Sequence, residues 1–164
     1  MSNQDFEVTA DALSFIGEYA KGIGVSVAIE MHQYSVADTS ASTLKLLQAI
    51  GMDNIGVNPD LGNVIWAYEE LAESWDQALM ALAPWTIWWH CKNMYRIHIP
   101  ETHRAFFVPS SLAEGEIDYR YAIAIMRQAG YDGYLLIEGI HNHDMLSLSK
   151  KSLEYVRSVL SNSA

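Results

Sequence analysis

Apolar residues recur at helical spacing from Phe6 to Lys21, through Ala10, Leu13, Ile16, Tyr19 and Ala20, and Gly22 and Gly24 then supply a stop. The chain therefore opens on a predicted helix. The run Val25 to Glu30 lacks that period and is mostly apolar, as in a strand covered on both faces. A polar loop from Met31 to Asp38 leads into a second helix near Thr39 to Ile50, closed by Gly51. The layout then repeats: a short strand from Ile55 to Asn58, the turn Pro59-Asp60-Leu61-Gly62-Asn63, and a helix from Val64 to Leu82 that Pro84 terminates. A third strand, Thr86 to Lys92, runs into an irregular stretch from Asn93 to Ile117 that contains Pro100, Pro109 and Gly115. Asp118 is placed to cap a helix from Tyr119 to Ala129, which Gly130 stops, and Tyr134 to Glu138 forms the fourth strand. Asp144 is placed to cap a last helix reaching Leu160.

The resulting order, α(βα)4, is an α/β pattern of the (β/α) TIM-barrel type, with no composition break to divide residues 1–164 into more than one domain. A complete eightfold barrel takes about 250 residues, so this chain supplies half the strands and reads as a partial barrel. Its sheet has two open edges, which predicts a homo-oligomer or pairing with a complementary half-barrel chain. A monodisperse monomer in dilute solution would contradict that expectation.

Composition narrows the function classes. Of the 164 residues, 50% are hydrophobic and 18% charged, the balance of a globular domain rather than a disordered segment. A formal net charge of −10 repels phosphate backbones and anionic bilayers, which argues against nucleic-acid and membrane-surface roles. The single cysteine, Cys91, excludes an intrachain disulfide, and the N-terminus lacks the basic-then-apolar pattern of a secretory leader. Both point to the cytoplasm. Every apolar run is interrupted before the length of about 18 residues that a membrane span requires.

Four side chains with metal-ligating chemistry fall at strand ends: Glu30 closing VSVAIE, Asp60 closing IGVNPD, His90 within TIWWHCK and Glu138 closing YLLIE. The first three are thirty residues apart, close to one strand-plus-helix unit. Parallel strands of a β/α barrel present the residues at their carboxyl ends to one pocket, so all four converge. Three carboxylates and an imidazole suit one divalent ion, Mn2+, Mg2+ or Co2+, and tolerate Zn2+. Strand alternation turns Trp88, His90 and Lys92 inward together and Ile87, Trp89 and Cys91 toward the helices. Lys92 then either steadies a substrate oxygen or pairs with a nearby carboxylate. Cys91 reads as a small buried hydrophobe. Trp66, Tyr68, Trp88 and Phe106 read mostly as core, and His32, His98, His103, His141 and His143 as loop residues on the functional side, of which one touches substrate.

The segments AIEMH (Ala28 to His32), NPDLGN (Asn58 to Asn63), WHCKN (Trp89 to Asn93), GEID (Gly115 to Asp118) and GYDGYLLIE (Gly130 to Glu138), taken in order, resemble the C-terminal half of the xylose isomerase-like TIM barrels. That superfamily contains sugar phosphate isomerases and epimerases and endonuclease IV. The resemblance implies Glu30, Asp60, His90 and Glu138 as ligands of one divalent ion, and Arg96, six residues beyond His90, as a substrate contact. Lys92, Asn63 and His32 complete the candidate substrate contacts. The chain departs from the sugar 3-epimerases at Asn63, where they carry a His, and at Val36, where they carry a Glu. Asn93 replaces an Asp that often follows the lysine.

The reaction so implied is a metal-dependent isomerisation or epimerisation of a small sugar or sugar phosphate. It passes through an enediolate, with Glu30 and Glu138 exchanging the proton. Alternative readings are a dehydratase or lyase of a related substrate, and a noncatalytic half-barrel subunit. An endonuclease IV-like activity conflicts with the acidic balance.

Overall fold

The computed structural model describes residues 2–66, 71–139 and 144–161, and its parallel strands follow the expected order. Helix α1 (Asn3–Gly22) begins at a capping box in which Ser2 and Asp5 each accept from the other's backbone N–H. Strands β1 (Val27–Glu30) and β2 (Ile55–Asn58) pair in parallel, with Glu30 opposite Asn58. Between them α2 (Ser40–Ile50) is capped by Thr39 and released by Gly51, whose φ of 64° is the left-handed conformation that glycine adopts without strain. Beyond β2 lie α3 (Leu61–Ile65) and α4 (Trp75–Leu82), then β3 (Trp89–Cys91).

A hairpin of β4 (Asn93–Ile99) and β5 (Arg104–Ser110) follows, then α5 (Tyr119–Gln128), β6 (Leu135–Ile137) and α6 (Met145–Ser161). Strand β6 lies parallel to β3, and one parallel bridge, Val57 to Thr86, joins the two pairs. The order β1-β2-β3-β6 is an arc of β/α barrel whose outer strands leave an edge unpaired among the described residues. Two apolar clusters fill the space between strands and helices. Ile29 and Val57 pack with Leu46, Leu47 and Leu82, while Trp89 and Cys91 pack with Tyr119, Ala122, Met126 and Val156. The described residues contain no helix long and apolar enough to cross a membrane.

Several expectations need correction. The helix expected over 64–82 is two helices: Trp66 leaves helical geometry at ψ 62°, and Ser74 restarts it, with residues 67–70 and therefore Tyr68 outside the described residues. The stretch expected to be irregular, 93–117, contains the β4–β5 hairpin, paired from Asn93 with Ser110 to Ile99 with Arg104. The cross-strand pairs Tyr95–Val108 and Ile97–Phe106 set apolar side chains opposite one another, and Pro109 sits in a ribbon that has two strands among the described residues.

Helix α1 turns Ala10, Gly17 and Ala20 inward and leaves Ile16 and Tyr19 exposed. Gly17 decides this, because a Cβ there would meet Ile55 Cδ1 at 2.6 Å and Met52 Sδ at 2.7 Å. Ile87 is 41% exposed and lies over Gly56, because the chain bends at residues 87–88 before β3 begins. Phe106 is exposed on the hairpin rather than in the core. Trp66 does pack, its ring 5.6 Å from that of Phe107, and Trp88 lies 5.7 Å from Tyr134.

Candidate metal centre

Each side chain of the cluster is brought in by the carboxyl end of a different parallel strand. Glu30 ends β1, Asp60 lies two residues past β2, His90 sits in β3 and Glu138 directly follows β6. One ligand atom from each falls within 4.8 Å of all the others. His90 Nδ1 is 3.1 Å from Glu138 Oε2 and 3.9 Å from Glu30 Oε2.

The local sequence builds this geometry through amides and a glycine. Asp60 is the N-cap of α3, its Oδ1 accepting from Gly62 N at 2.9 Å, which leaves Oδ2 directed elsewhere. Asn63 donates to Glu30 Oε1 and to the Met31 carbonyl, both at 3.0 Å, tying the end of β1 to the turn after β2. Asn58, at the end of a wholly buried strand, accepts from the His90 backbone N–H at 2.7 Å and fixes the height of β3 against β2. A sequence reading gave Asn58 no role; the signal was an amide closing a strand with no exposed face.

Lys92 Nζ lies 2.7 Å from Asp60 Oδ2 and 3.3 Å from Glu138 Oε1, with its side chain 5% exposed. Burial pushes the Asp60 carboxyl up to about 7; Lys92 offsets part of that effect and Glu138 adds to it. For Glu138 burial also acts upward, but Asp60, Lys92 and His90 outweigh it and hold the carboxyl below its ordinary value. Burial acts downward on the Lys92 ammonium, and its two carboxylate neighbours more than compensate, so it stays charged.

Asp60 Oδ2, His90 Nδ1 and Glu138 Oε2 are buried, and their contacts lie within the cluster: Lys92 Nζ is 2.7 Å from Asp60 Oδ2, and His90 Nδ1 is 3.1 Å from Glu138 Oε2. Three carboxylates and an imidazole converging with one ammonium among them are a donor set that a cation would satisfy, so the residues present fit a divalent ion bound by Glu30, Asp60, His90 and Glu138. An open pocket of about 540 Å³, lined in part by Ser26, Ala28, Asn58 and Trp88, adjoins Glu30 and His90.

The candidate substrate contacts divide. Asn63 is buried on Glu30, and Lys92 is buried on Asp60 and Glu138. Arg96, on β4, is held at Glu116, its Nε 3.8 Å from Oε1. His32 is exposed in the loop after β1, its Nδ1 2.9 Å from the Gln33 carbonyl oxygen. His98 and His103 are exposed, and His141 and His143 lie outside the described residues. Cys91 is buried and free. Asn93 pins the base of the hairpin, its side chain bonding Ile117 N and Ile117 O at 3.1 and 2.8 Å.

Comparisons with known proteins agree on the architecture. A family model described as "Xylose isomerase-like TIM barrel" matches residues 2–159. Nothing among curated protein sequences matches the chain. A xylose isomerase-like TIM barrel protein from Mycobacterium smegmatis, solved in complex with magnesium, is similar at TM-score 0.87 and 23% identity, over 99% of this chain and 52% of that one. The probable 3-DHS dehydratase AsbF from Bacillus anthracis follows at 0.77 and 22%, over 96% and 58%. An L-ribulose 3-epimerase gives 0.76 and 19%, over 99% and 56%. The chain thus spans about half the length of these structures.

Proposed function

The chain belongs to the xylose isomerase-like TIM barrel family, and from that premise we propose that it is a divalent-metal-dependent isomerase or epimerase of a small sugar or sugar phosphate. One observation carries the reading: four candidate ligands from four strands converge with ligand atoms within 4.8 Å of one another, and two of them, Glu30 and His90, line an open pocket. A divalent ion bound there would polarise a substrate carbonyl and the hydroxyl next to it.

The chain's own residues supply the rest. Glu30, 39% exposed, lines the pocket, and Glu138, 37% exposed, lies 3.1 Å from the pocket-lining His90; the pair would take and return a proton at the carbon beside the carbonyl. Asp60, with no exposed surface, is confined to ligation and to its contact with Lys92. Asn63 and Asn58 orient Glu30 and the β3 backbone.

Incubating the chain with Mn2+ and a panel of ketoses, aldoses and their phosphates in D2O tests this directly. The expected result is metal-dependent deuterium at the carbon next to the carbonyl, with an isomer or epimer as product. Loss of water would instead identify the dehydratase reading, which the likeness to the AsbF fold keeps in view. No exchange with any substrate, with the ion bound, would favour a noncatalytic half-barrel subunit.

The same reading includes a partner. Val8, Phe15 and Tyr19 on α1 and Leu146, Leu153 and Leu160 on α6 are exposed, and the outer strands β1 and β6 each leave an edge unpaired among the described residues. They support pairing with a second copy or a complementary half-barrel. Sedimentation of the isolated chain as a stable monomer would contradict pairing with a second copy.

A further inference from the structure

Lys92 is built into the ligand cluster rather than placed at its rim. Its backbone carbonyl accepts from the Tyr119 hydroxyl at 2.9 Å, anchoring the end of β3 to α5. Its aliphatic stem runs over Gly62, where a Cβ would collide with Lys92 Cγ, Cδ and Cε, so the glycine is the space the stem needs. The ammonium ends between Asp60 Oδ2, at 2.7 Å, and Glu138 Oε1, at 3.3 Å. It therefore bridges two of the three candidate carboxylate ligands.

Two-metal sites hold ions about 3.5–4 Å apart across shared ligands. Asp60 and Glu138 are the carboxylates such a pair would share here, and an ammonium group already spans them. Charge agrees with geometry. Three carboxylates and one lysine sum to −2, which a single divalent ion neutralises in a largely buried setting.

We propose that Lys92 is a fixed internal cation standing where a second metal ion would bridge Asp60 and Glu138, and that it holds this centre to one divalent ion. The inference rests on the reading of Glu30, Asp60, His90 and Glu138 as ligands. Lys92 is then a positioning residue that sets the nuclearity of the site, and a small carbohydrate meets one ion rather than two.

Metal content and Mn2+ electron paramagnetic resonance of wild type, Lys92→Arg and Lys92→Ala test it. Wild type and Lys92→Arg are expected to hold one ion per chain with the spectrum of an isolated Mn2+. Lys92→Ala is expected to hold two, with the exchange-coupled spectrum of a pair. Lys92→Gln, one atom shorter but keeping most of the stem and a polar tip while losing the charge, serves if the alanine variant does not fold, and is expected to gain the second ion as well. A wild type with one ion and a folded, uncharged variant with one or none would overturn the inference and leave the ligand reading standing. A wild type with no ion would sink both.

Discussion

Replacing His90 with alanine is expected to strip the divalent ion from the protein. Wild type supplied with Mn2+ or Zn2+ should hold about one ion per chain and the variant close to none at the same free concentration. Removing a group that only orients a ligand typically weakens metal binding by about 10–100-fold. Loss of the sole nitrogen ligand should cost about 100-fold or more. Elemental analysis and calorimetric titration read the effect, and a variant that keeps the ion at wild-type affinity would refute the four-ligand centre.

The titration also has an expected pH dependence. Because burial raises the Asp60 carboxyl from 3.8 to about 7, the metal-free folded state carries a proton there that the ion must displace. Affinity should therefore fall as pH drops below about 7, by up to about tenfold per pH unit for this one proton, and flatten above it. The same sign applies to stability. The metal-free fold binds this proton more tightly than the unfolded chain, so it loses stability as pH rises from the ordinary carboxylate range to about 7, and bound metal offsets the loss.

The cluster was legible from sequence because each candidate ligand closes, or sits in, an apolar run. A charged group at the end of a buried strand is costly unless something engages it, and parallel strands deliver such ends to one place. Strand parity correctly separated His90 and Lys92 from Trp89 and Cys91, but it could not say which anion Lys92 meets, since that depends on β6 closing beside β3.

The amides were harder to read. Asn63 looked like a substrate contact and Asn58 like a strand end, yet each satisfies a partner some thirty residues away. The hairpin was hidden for another reason. Its turn, Pro100 to His103, lacks an Asn-Gly or Asp-Gly signal and places His103 at φ 49°, a conformation more familiar from glycine or asparagine. Its strands mix apolar and basic residues on both faces, as a ribbon standing off the main sheet can.

Converting Glu30 or Glu138 to glutamine is expected to lower turnover by about 10²–10⁴-fold while the ion, at saturating Mn2+, stays bound. Glutamine preserves volume and leaves the other three candidate ligands in place, but it cannot carry the substrate's proton. The surroundings make the two variants unequal. At position 30 the Asn63 side-chain N–H donates to Oε1, so the new amide must present its oxygen there and turn its NH2 toward His90 Nδ1, now 3.9 Å from Oε2. At position 138 the oxygen must face Lys92, which places the NH2 toward His90 Nδ1, now 3.1 Å from Oε2. A metal sharing that space would be crowded more by Glu138→Gln, which should lose affinity as well as turnover. Deuterium exchange separates the proton-transfer roles: the residue that removes the proton abolishes exchange when replaced, whereas the one that returns it stops product formation and leaves exchange into substrate. Asp60→Asn, buried away from the pocket, should weaken metal binding and recover turnover at high Mn2+. If both glutamine variants turn over at the wild-type rate with metal bound, these carboxylates do not carry the proton.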